Sequence, residues 1–260
     1  MTDTLAVWLG ADRVGDLVGD RQTLTFHRRT GAARLTVAQM EDDEPAWSPA
    51  FTHAWFDGLL PEEERRSAAE IEHGVDRGDT FGLLAAIGWE CAGAVSVLPE
   101  GRLPASGWYQ ALADDEVWER LDALPRRVAE IDHQVRLSLG GAQDKLLLAR
   151  LDGHWQLPLD GAISTHILKP EPVRFPGLAV AEGWALRAAT AVTSAAKADL
   201  LAAADHRPTL VVERYDREVR DGAIARTHQE DLCQVLGLDP AARYPRGHGP
   251  RDASLRRLAD

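Results

Sequence analysis

The sequence predicts an α+β protein, in which a small N-terminal α+β domain is followed by an antiparallel sheet with one helix and then by the start of a helical region. Two observations predict this class. Short apolar runs bounded by Gly, Asp and Pro occur in both halves and indicate strands joined by turns. Helical spacing of apolar residues is confined to a few separate segments. At 260 residues, the chain is long enough for one large domain or two modest ones.

The first region, residues 1–100, contains both strand and helix signals. Strands are predicted within residues 4–38, in "TLAVWLGADRVGDLV", "RQTLTFHR" and "ARLTVAQ". The segment "AWFDGLLPEEERRSAAEIEHG" indicates a turn and then a helix with Pro61 in its first turn. The segment "DTFGLLAAIGWECAGAVSVLPEG" predicts a helix followed by a strand. An amphipathic helical connector is predicted over residues 101–134.

The second region, residues 135–225, has the pattern of consecutive strands interrupted by one helix. The segment "VRLSLGGAQDKLLLARLDGHWQLPLDG" predicts strands joined by a glycine loop and by a hairpin at Asp152-Gly153. "THILKP" is a further strand that Pro170 stops, and "GLAVAEGWALRAATAVT" has helical spacing. "PTLVVERYDREVRDGAIARTHQED" predicts a strand, a hairpin and a strand, and "EDLCQVLGL" begins a helix in the last region, 226–260.

Composition excludes some functional classes. A hydrophobic content of 45% and a charged fraction of 27% are ordinary for a globular protein. The net charge of −12 argues against a nucleic-acid surface spread over the whole chain, although a local basic patch stays open. Cys91 and Cys233 lie far apart without metal-ligand spacing, which predicts free thiols and no metal site. No secretory or membrane-spanning segment is recognisable, so a cytoplasmic protein is expected.

The distribution of lysine is the first indication of a site. The chain has three lysines against 26 arginines, and it contains no Asn. Lys145 follows the Gly140-Gly141 pair, and Lys169 lies on a later predicted strand. A glycine-rich turn lets backbone N–H groups approach a phosphate closely. Two of the three lysines therefore occur where a nucleotide-binding sheet requires a compact positive charge.

Further residues follow in the order expected for the smaller lobe of a protein kinase. Glu182 lies on the predicted helix 13 residues after Lys169, where a helix carboxylate would pair with the strand lysine and orient it. The strand "VVERYD" would then connect two lobes. Backbone groups near Glu213 and Tyr215 would hydrogen-bond an adenine edge.

Each of these features alone has a simpler explanation. A "GGAQ" segment is usually only a hairpin, a single strand lysine is usually solvated, and Glu182 by itself is a helix-surface residue. "ERYDR" alone is an edge strand with alternating charges. The linear order of the features favours the nucleotide-binding interpretation over these separate ones.

The motifs together resemble the HipA family of bacterial toxin–antitoxin serine/threonine kinases. "SLGGAQDKLLL" is similar to the family's S-x-x-G-x-Q-x-K loop, and "STHILKP" is similar to its T-H-I-x-K strand. "VVERYDR" is similar to its V-E-R-F/Y-D-R hinge, and "RTHQEDLCQVLGL" to its Q-E-D-x-C-Q segment. "WFDGLLPE" and "WECAGAVSVLP" fit the family's N-terminal domain. The resemblance extends over residues 1–250.

The resemblance implies a fold and roles for individual residues. The expected architecture is a HipA-type N-terminal domain, a kinase-like N-lobe and the start of a helical C-lobe. ATP would be the nucleotide, with Mg as its usual metal. Ser138 would be the autophosphorylated serine, although it remains compatible with an ordinary strand residue. The residues implied to contact ATP are Gly140, Gly141, Ala142, Gln143, Asp144, Lys145, Lys169, Glu213, Arg214 and Tyr215.

The sequence departs from the family at the catalytic loop. The family pattern D-x-H-x-K-N does not occur in the 260 residues, and without Asn the chain cannot supply that metal ligand. Asp132-His133 and Asp205-His206 come too early and lack the following Lys and Asn. No catalytic residue and no metal ligand is therefore assigned, and we expect the chain alone to transfer phosphate very slowly or not at all.

Three interpretations stay open at this stage. The chain is a shortened HipA-type kinase whose activity needs a longer or split form, a non-catalytic nucleotide- or antitoxin-binding module, or a degenerate fragment. The resemblance implies a HipB-like helix-turn-helix antitoxin as partner and DNA association only through that antitoxin. It also implies an aminoacyl-tRNA synthetase as substrate, and no membrane partner.

Overall fold

The computed structural model describes residues 3–20, 23–38, 46–104, 107–124, 143–220 and 223–243. These residues form two compact units. The first contains the described residues of 3–104 together with 228–243, and the second contains those of 107–227. The second unit is therefore inserted, in chain order, between two segments of the first.

The first unit is built on a four-stranded antiparallel sheet of order β3-β2-β1-β4. Apolar residues of its strands, such as Val7, Leu17 and Val97, are buried in one core with residues of the first and third helices. The strands are β1 (Asp3–Leu9), β2 (Asp12–Gly19), β3 (Leu24–Arg28) and β4 (Val95–Pro99). The helices are α1 (Pro49–Asp57), α2 (Glu63–Glu72) and α3 (Thr80–Ile87).

Aromatic side chains fill the centre of the first unit. Trp55 and Phe56 of α1 are fully buried and pack against Trp47, with ring centroids 5.6 and 6.1 Å from it. Phe26 of β3 lies 4.6 Å from Trp47. The hydroxyl of Ser48 caps α1 by accepting the N–H of Phe51. These contacts join the sheet and α1 into one core.

Two sequence-based expectations in this unit are wrong. "ARLTVAQ" is not a strand in its described residues 33–38. There the N–H of Val37 donates to the carboxylate of Glu230 rather than to a neighbouring strand. "AWFD" ends helix α1, the predicted turn is confined to 58–60, and the predicted helix begins at Glu63, so Pro61 precedes the helix and does not lie in its first turn.

The second unit is built on a six-stranded antiparallel sheet of order β5-β7-β6-β8-β10-β9. A separate two-stranded hairpin joins β11 to β12. The six strands are β5 (Trp108–Ala111), β6 (Leu146–Leu151), β7 (His154–Leu159), β8 (His166–Pro170), β9 (Ala198–Leu201) and β10 (Thr209–Glu213). The hairpin strands are β11 (Arg217–Arg220) and β12 (Ala223–Arg226).

One helix covers each face of this sheet. Val117 and Leu121 of α4 (Asp114–Ala123) pack against Leu148 and Leu168 on one face. Residues of the opposite parity, such as Leu210, pack on the other face against α5 (Leu178–Ala189). The hairpin at Asp152-Gly153 is confirmed, since both residues have the positive φ of a tight two-residue turn. Strands β5 and β9 were not predicted.

The chain then returns to the first unit. Helix α6 (Leu232–Leu236) begins at Asp231, whose carboxylate accepts the N–H of Gln234, and a 3-10 helix follows at Pro240–Arg243. The mixed helices and antiparallel sheets confirm the α+β class. Among the helices of the described residues, none is long and apolar enough to cross a membrane.

Candidate functional site

The second unit brings together a lysine on a central strand and a glutamate on the covering helix. Lys169 Nζ of β8 donates to Glu182 Oε1 of α5 at 2.6 Å. Both side chains are partly buried, with 23% and 30% of their surface exposed. Partial burial strengthens the charge–charge attraction compared with a pair in bulk water. The ion pair fixes the direction of the lysine.

The local sequence explains why Glu182 reaches the sheet. Ala179 lies one helical turn earlier and is fully buried, so Glu182 shares the sheet-facing side of α5. Gly183 allows the close approach, because a Cβ there would lie 3.1 Å from Leu210 Cδ1. The small residues of α5 thus bring its carboxylate within reach of β8.

The strand register relates Lys145 to Lys169. Leu146 of β6 pairs with Leu168 of β8 in the antiparallel ladder. The strand begins at Leu146, and continuing its register by one residue would set Lys145 opposite Lys169. Opposite residues of an antiparallel pair project to the same face of the sheet. The register therefore predicts that both ammonium groups share the face that α5 covers.

Only part of the predicted phosphate loop lies within the described residues. Ser138, Gly140, Gly141 and Ala142 lie outside them. Within the described part of the chain, Gln143 Nε2 is a buried amide nitrogen without a hydrogen-bond partner. A buried donor without an acceptor is energetically costly and indicates a position that favours an acceptor atom.

The predicted hinge, Glu213–Tyr215, continues from the end of β10. The N–H of Glu213 donates to Lys197 O at 2.8 Å, and the N–H of Arg214 donates to Thr165 O at 2.9 Å. The side chain of Tyr215 is exposed. These bonds fix the backbone path of the segment, while its proposed contact with adenine stays a prediction.

The Arg214 side chain points into the protein. Its Nε and Nη2 donate to Asp216 Oδ1 and Oδ2 at 3.0 and 2.8 Å, and its Nη1 donates to Ser164 Oγ at 3.0 Å. Arg217 Nη1 also donates to Asp216, at 2.9 Å. The guanidinium of Arg214 is consequently occupied by an internal network, and any contact of this residue with a base falls to its backbone.

This buried network is the main feature that sequence reasoning missed. The alternating charges of "ERYDR" are typical of an exposed edge strand, yet Arg214, Asp216 and Arg217 are all buried. The signal in the sequence was the spacing of these residues. Asp216 lies two residues after Arg214 and one residue before Arg217, so its carboxylate can bind both guanidinium groups.

His166 is a half-buried histidine of this unit whose environment shifts its pKa. It is the first residue of β8, the strand that also carries Lys169, and its Nδ1 is 2.8 Å from Thr165 Oγ1. Burial lowers its pKa below the usual 6.5, and Arg150 adds to this effect, whereas Glu213 and Asp199 oppose it. His166 is thus held in its neutral form.

Of the two early Asp-His pairs, Asp205-His206 lies within the described residues. Asp132 and His133 lie outside the described residues. His206 stacks on Trp118 with ring centroids 4.7 Å apart, and its Nδ1 lies 2.7 Å from Asp122 Oδ2. His206 therefore helps to attach the β9–β10 loop to α4. Within the described ranges, no cluster of His, Cys, Asp and Glu is suited to a metal ion.

Comparison with known proteins identifies both halves of the chain. The HipA N-terminal domain model matches residues 5–98, and the HipA-like C-terminal domain model matches residues 137–260. The Sinorhizobium fredii protein Y4mE is 41% identical over 204 residues, which cover 75% of this chain and 49% of that protein. The serine/threonine-protein kinase toxin HipA of Shewanella oneidensis is 32% identical over 195 residues, which cover 74% of this chain and 44% of that protein.

A solved structure gives the same result at the level of the fold. The complex of Shewanella oneidensis HipA and HipB with operator DNA contains a chain that matches with a TM-score of 0.76 and 26% identity. The match covers 95% of the present chain and 59% of that chain. The present chain spans about half the length of the curated relatives it matches. The paired family models, these relatives and the shared fold lead to one conclusion: the chain belongs to the HipA family.

Proposed function

We propose that the second unit is the nucleotide-binding lobe of a HipA-type serine/threonine kinase. The observation that carries the proposal is the Lys169–Glu182 ion pair on a central strand, with the register that sets Lys145 opposite. Two ammonium groups on one face would neutralise the phosphates of ATP. A lysine held by a helix carboxylate is already oriented, so little entropy is lost when the ligand binds.

The residues present fit a triphosphate in two further respects. Gln143 Nε2 is a buried donor that a phosphate oxygen would satisfy. The backbone of Glu213–Tyr215 follows β10 directly, where an adenine edge would be hydrogen-bonded. In this proposal the remaining contacts come from Gly140, Gly141, Ala142, Asp144 and Lys145.

Phosphoryl transfer is proposed to be very slow or undetectable with the 260-residue chain alone. Bound Mg would supply positive charge that helps to neutralise the triphosphate of ATP. The sequence lacks the D-x-H-x-K-N pattern that would orient the substrate hydroxyl and supply an Asn ligand. Ser138 is the proposed acceptor when a competent kinase acts on it. Its phosphate would add about −1.5 to −2 charges to a loop that binds phosphates.

Titration calorimetry with the full chain tests nucleotide binding separately from chemistry. We expect saturable binding of Mg-ATP and no binding of Mg with adenosine alone, because the phosphates supply most of the contacts. Incubation with γ-labelled ATP and mass spectrometry of Ser138 then tests transfer. No binding of Mg-ATP would overturn the nucleotide proposal, and rapid labelling of Ser138 would overturn the catalytic one.

A second function is favoured by the solved relative. That structure contains HipA with HipB and operator DNA, and its match includes 95% of this chain. We propose that this chain binds a HipB-like helix-turn-helix antitoxin in the cytoplasm and associates with DNA only through it. Cys91 and Cys233 are buried and form no disulfide, which suits a reducing compartment. Co-purification with such a protein tests this role. The proposed aminoacyl-tRNA synthetase substrate is tested by asking whether a catalytically competent kinase of this family phosphorylates it.

A further inference from the structure

Within the first unit, the carboxylate of Glu230 connects the last described segment of the chain to two other parts of the unit. Glu230 Oε1 accepts the indole Nε1–H of Trp55 at 2.7 Å, and its Oε2 accepts the backbone N–H of Val37 at 2.7 Å. The two donors come from different parts of the unit, α1 and the irregular segment 33–38. Hydrogen bonds to an ionised acceptor are about twice as strong as neutral ones.

Further hydrogen bonds lie on either side of Glu230. His228 Nε2 donates to Leu35 O at 2.9 Å, and Gln234 Nε2 donates to Trp55 O at 3.2 Å. Trp55 is thus bound both at its indole and at its backbone. Gln234 is itself buried. Residues 228–234 therefore make four hydrogen bonds to other parts of the first unit.

Two glycines allow the segment to lie close to the unit. A Cβ on Gly93 would lie 2.7 Å from the backbone nitrogen of Gln229, and its φ is +67°. A Cβ on Gly237 would lie 2.6 Å from Phe51 Cδ2, with φ +62°. Positive φ and the lack of space both require glycine at these positions. Close packing thus depends on a glycine on each side of the contact, Gly93 beside Gln229 and Gly237 beside Phe51.

We propose that the first unit contains a recognition site for residues 228–237, which we call the clasp, and that Glu230 is its anchor. The site takes an acidic, amide-bearing segment that begins a short helix. Its two donors are the indole N–H of Trp55 and the backbone N–H of Val37. Its two acceptors are the backbone carbonyl oxygens of Leu35 and Trp55. The clasp belongs to the first structural unit, although the HipA-like C-terminal domain model, which matches residues 137–260, includes it.

The proposal does not depend on nucleotide binding. The four hydrogen bonds join the clasp to Leu35, Val37 and Trp55, none of which is proposed to contact ATP. A polypeptide that ends before residue 228 would leave the Trp55 indole N–H and the Val37 N–H without their acceptor.

Hydrogen–deuterium exchange of the full chain tests the clasp, with Glu230→Gln as the main variant and the exposed Glu218→Gln as the matched control. Glu230→Gln keeps one acceptor and turns an amide N–H₂ toward the other donor. We expect exchange of amides in 33–38 and 228–237 to be at least about ten-fold faster, a change of about 1.4 kcal/mol, while β6 and β8 are unchanged. Glu218→Gln should leave all four segments as in the native chain.

A double-mutant cycle excludes a general loss of stability as the explanation. Trp55→Phe keeps an aromatic ring but removes the indole N–H. If Glu230 acts through that donor, Glu230→Gln should accelerate exchange of 228–237 less in the Trp55→Phe background than in the native one. Equal acceleration in both backgrounds, or unchanged exchange in Glu230→Gln, would overturn the proposal.

Discussion

Lys169 and Glu182 form a hydrogen-bonded ion pair that joins a central strand to the helix covering it, with 2.6 Å between Nζ and Oε1. The pair links two distant sequence segments, the "THILKP" strand and the "AEGW" turn of α5. It gives the lysine a fixed direction, and the proposed nucleotide function depends on that direction.

Replacement of the lysine should weaken nucleotide binding. Lys169→Met removes the oriented ammonium group, and we expect the Kd for Mg-ATP to rise by at least about ten-fold, which corresponds to 1.4 kcal/mol. Arg220→Met is the charge-matched control, since Arg220 is exposed on β11 and its ion-pair partner Glu218 is not one of the residues proposed to contact ATP. Titration calorimetry gives both constants. Equal Kd values for the two variants would exclude Lys169 from the site.

Removing the central carboxylate of the buried network should destabilise the second unit. Asp216→Ala leaves the guanidinium groups of Arg214 and Arg217 without their shared acceptor in a buried position. We expect the free energy of unfolding to fall by about 3–5 kcal/mol. Glu218→Ala removes an exposed pair with Arg220 and should cost less than about 1 kcal/mol. Urea denaturation measures both, and a small effect of Asp216→Ala would argue against the network.

His166 should make the stability of the protein depend on pH. Burial lowers its pKa below 6.5, so the unfolded chain takes up a proton that the folded chain resists. This residue contributes no pH dependence well above pH 6.5, and stability is lost as the pH falls below that value. In His166→Gln the loss between pH 7 and 5.5 should be smaller than in the native chain. Identical pH profiles from thermal unfolding would show that His166 is not responsible.

A polar cluster in the first unit offers a parallel test. Arg66 donates to Asp57 at 2.6 Å, to Glu70 at 2.9 Å and to Thr80 at 3.0 Å. Arg66→Met leaves these groups without their common donor, and we expect a loss of about 3–5 kcal/mol. Arg77→Met, at an exposed position, is the control and should change stability by about 0.5 kcal/mol or less. Chemical denaturation followed by tryptophan fluorescence distinguishes them.

Local patterns predicted the strands and helices that carry strong signals. The β6–β7 hairpin has an Asp-Gly turn, and the apolar residues of α5 have helical spacing. Both elements could therefore be predicted from short stretches of sequence. The partner of Lys169 was also predictable, because a helix carboxylate follows the strand lysine in the order that the fold requires.

Features that depend on distant residues were not predictable from local pattern. Residues 33–38 have the alternation of a strand, but their polar groups bind Glu230 and His228, about 190 residues further along the chain. The charges of "ERYDR", taken alone, are typical of an exposed edge strand, whereas Arg214 is buried and its guanidinium binds Ser164, 50 residues earlier in the chain. In both cases a long-range hydrogen bond decides the outcome, and no periodicity reports it.

The order of the segments has a consequence for synthesis of the protein. Residues 3–104 are made first, but Glu230 follows only after the whole of the second unit. At 5–20 residues per second, the 124 positions between 104 and 228 take roughly 6 to 25 s to translate. During that interval the indole N–H of Trp55 and the backbone N–H of Val37 lack their carboxylate acceptor, so the N-terminal unit forms its last hydrogen bonds only after residue 230 has been synthesised.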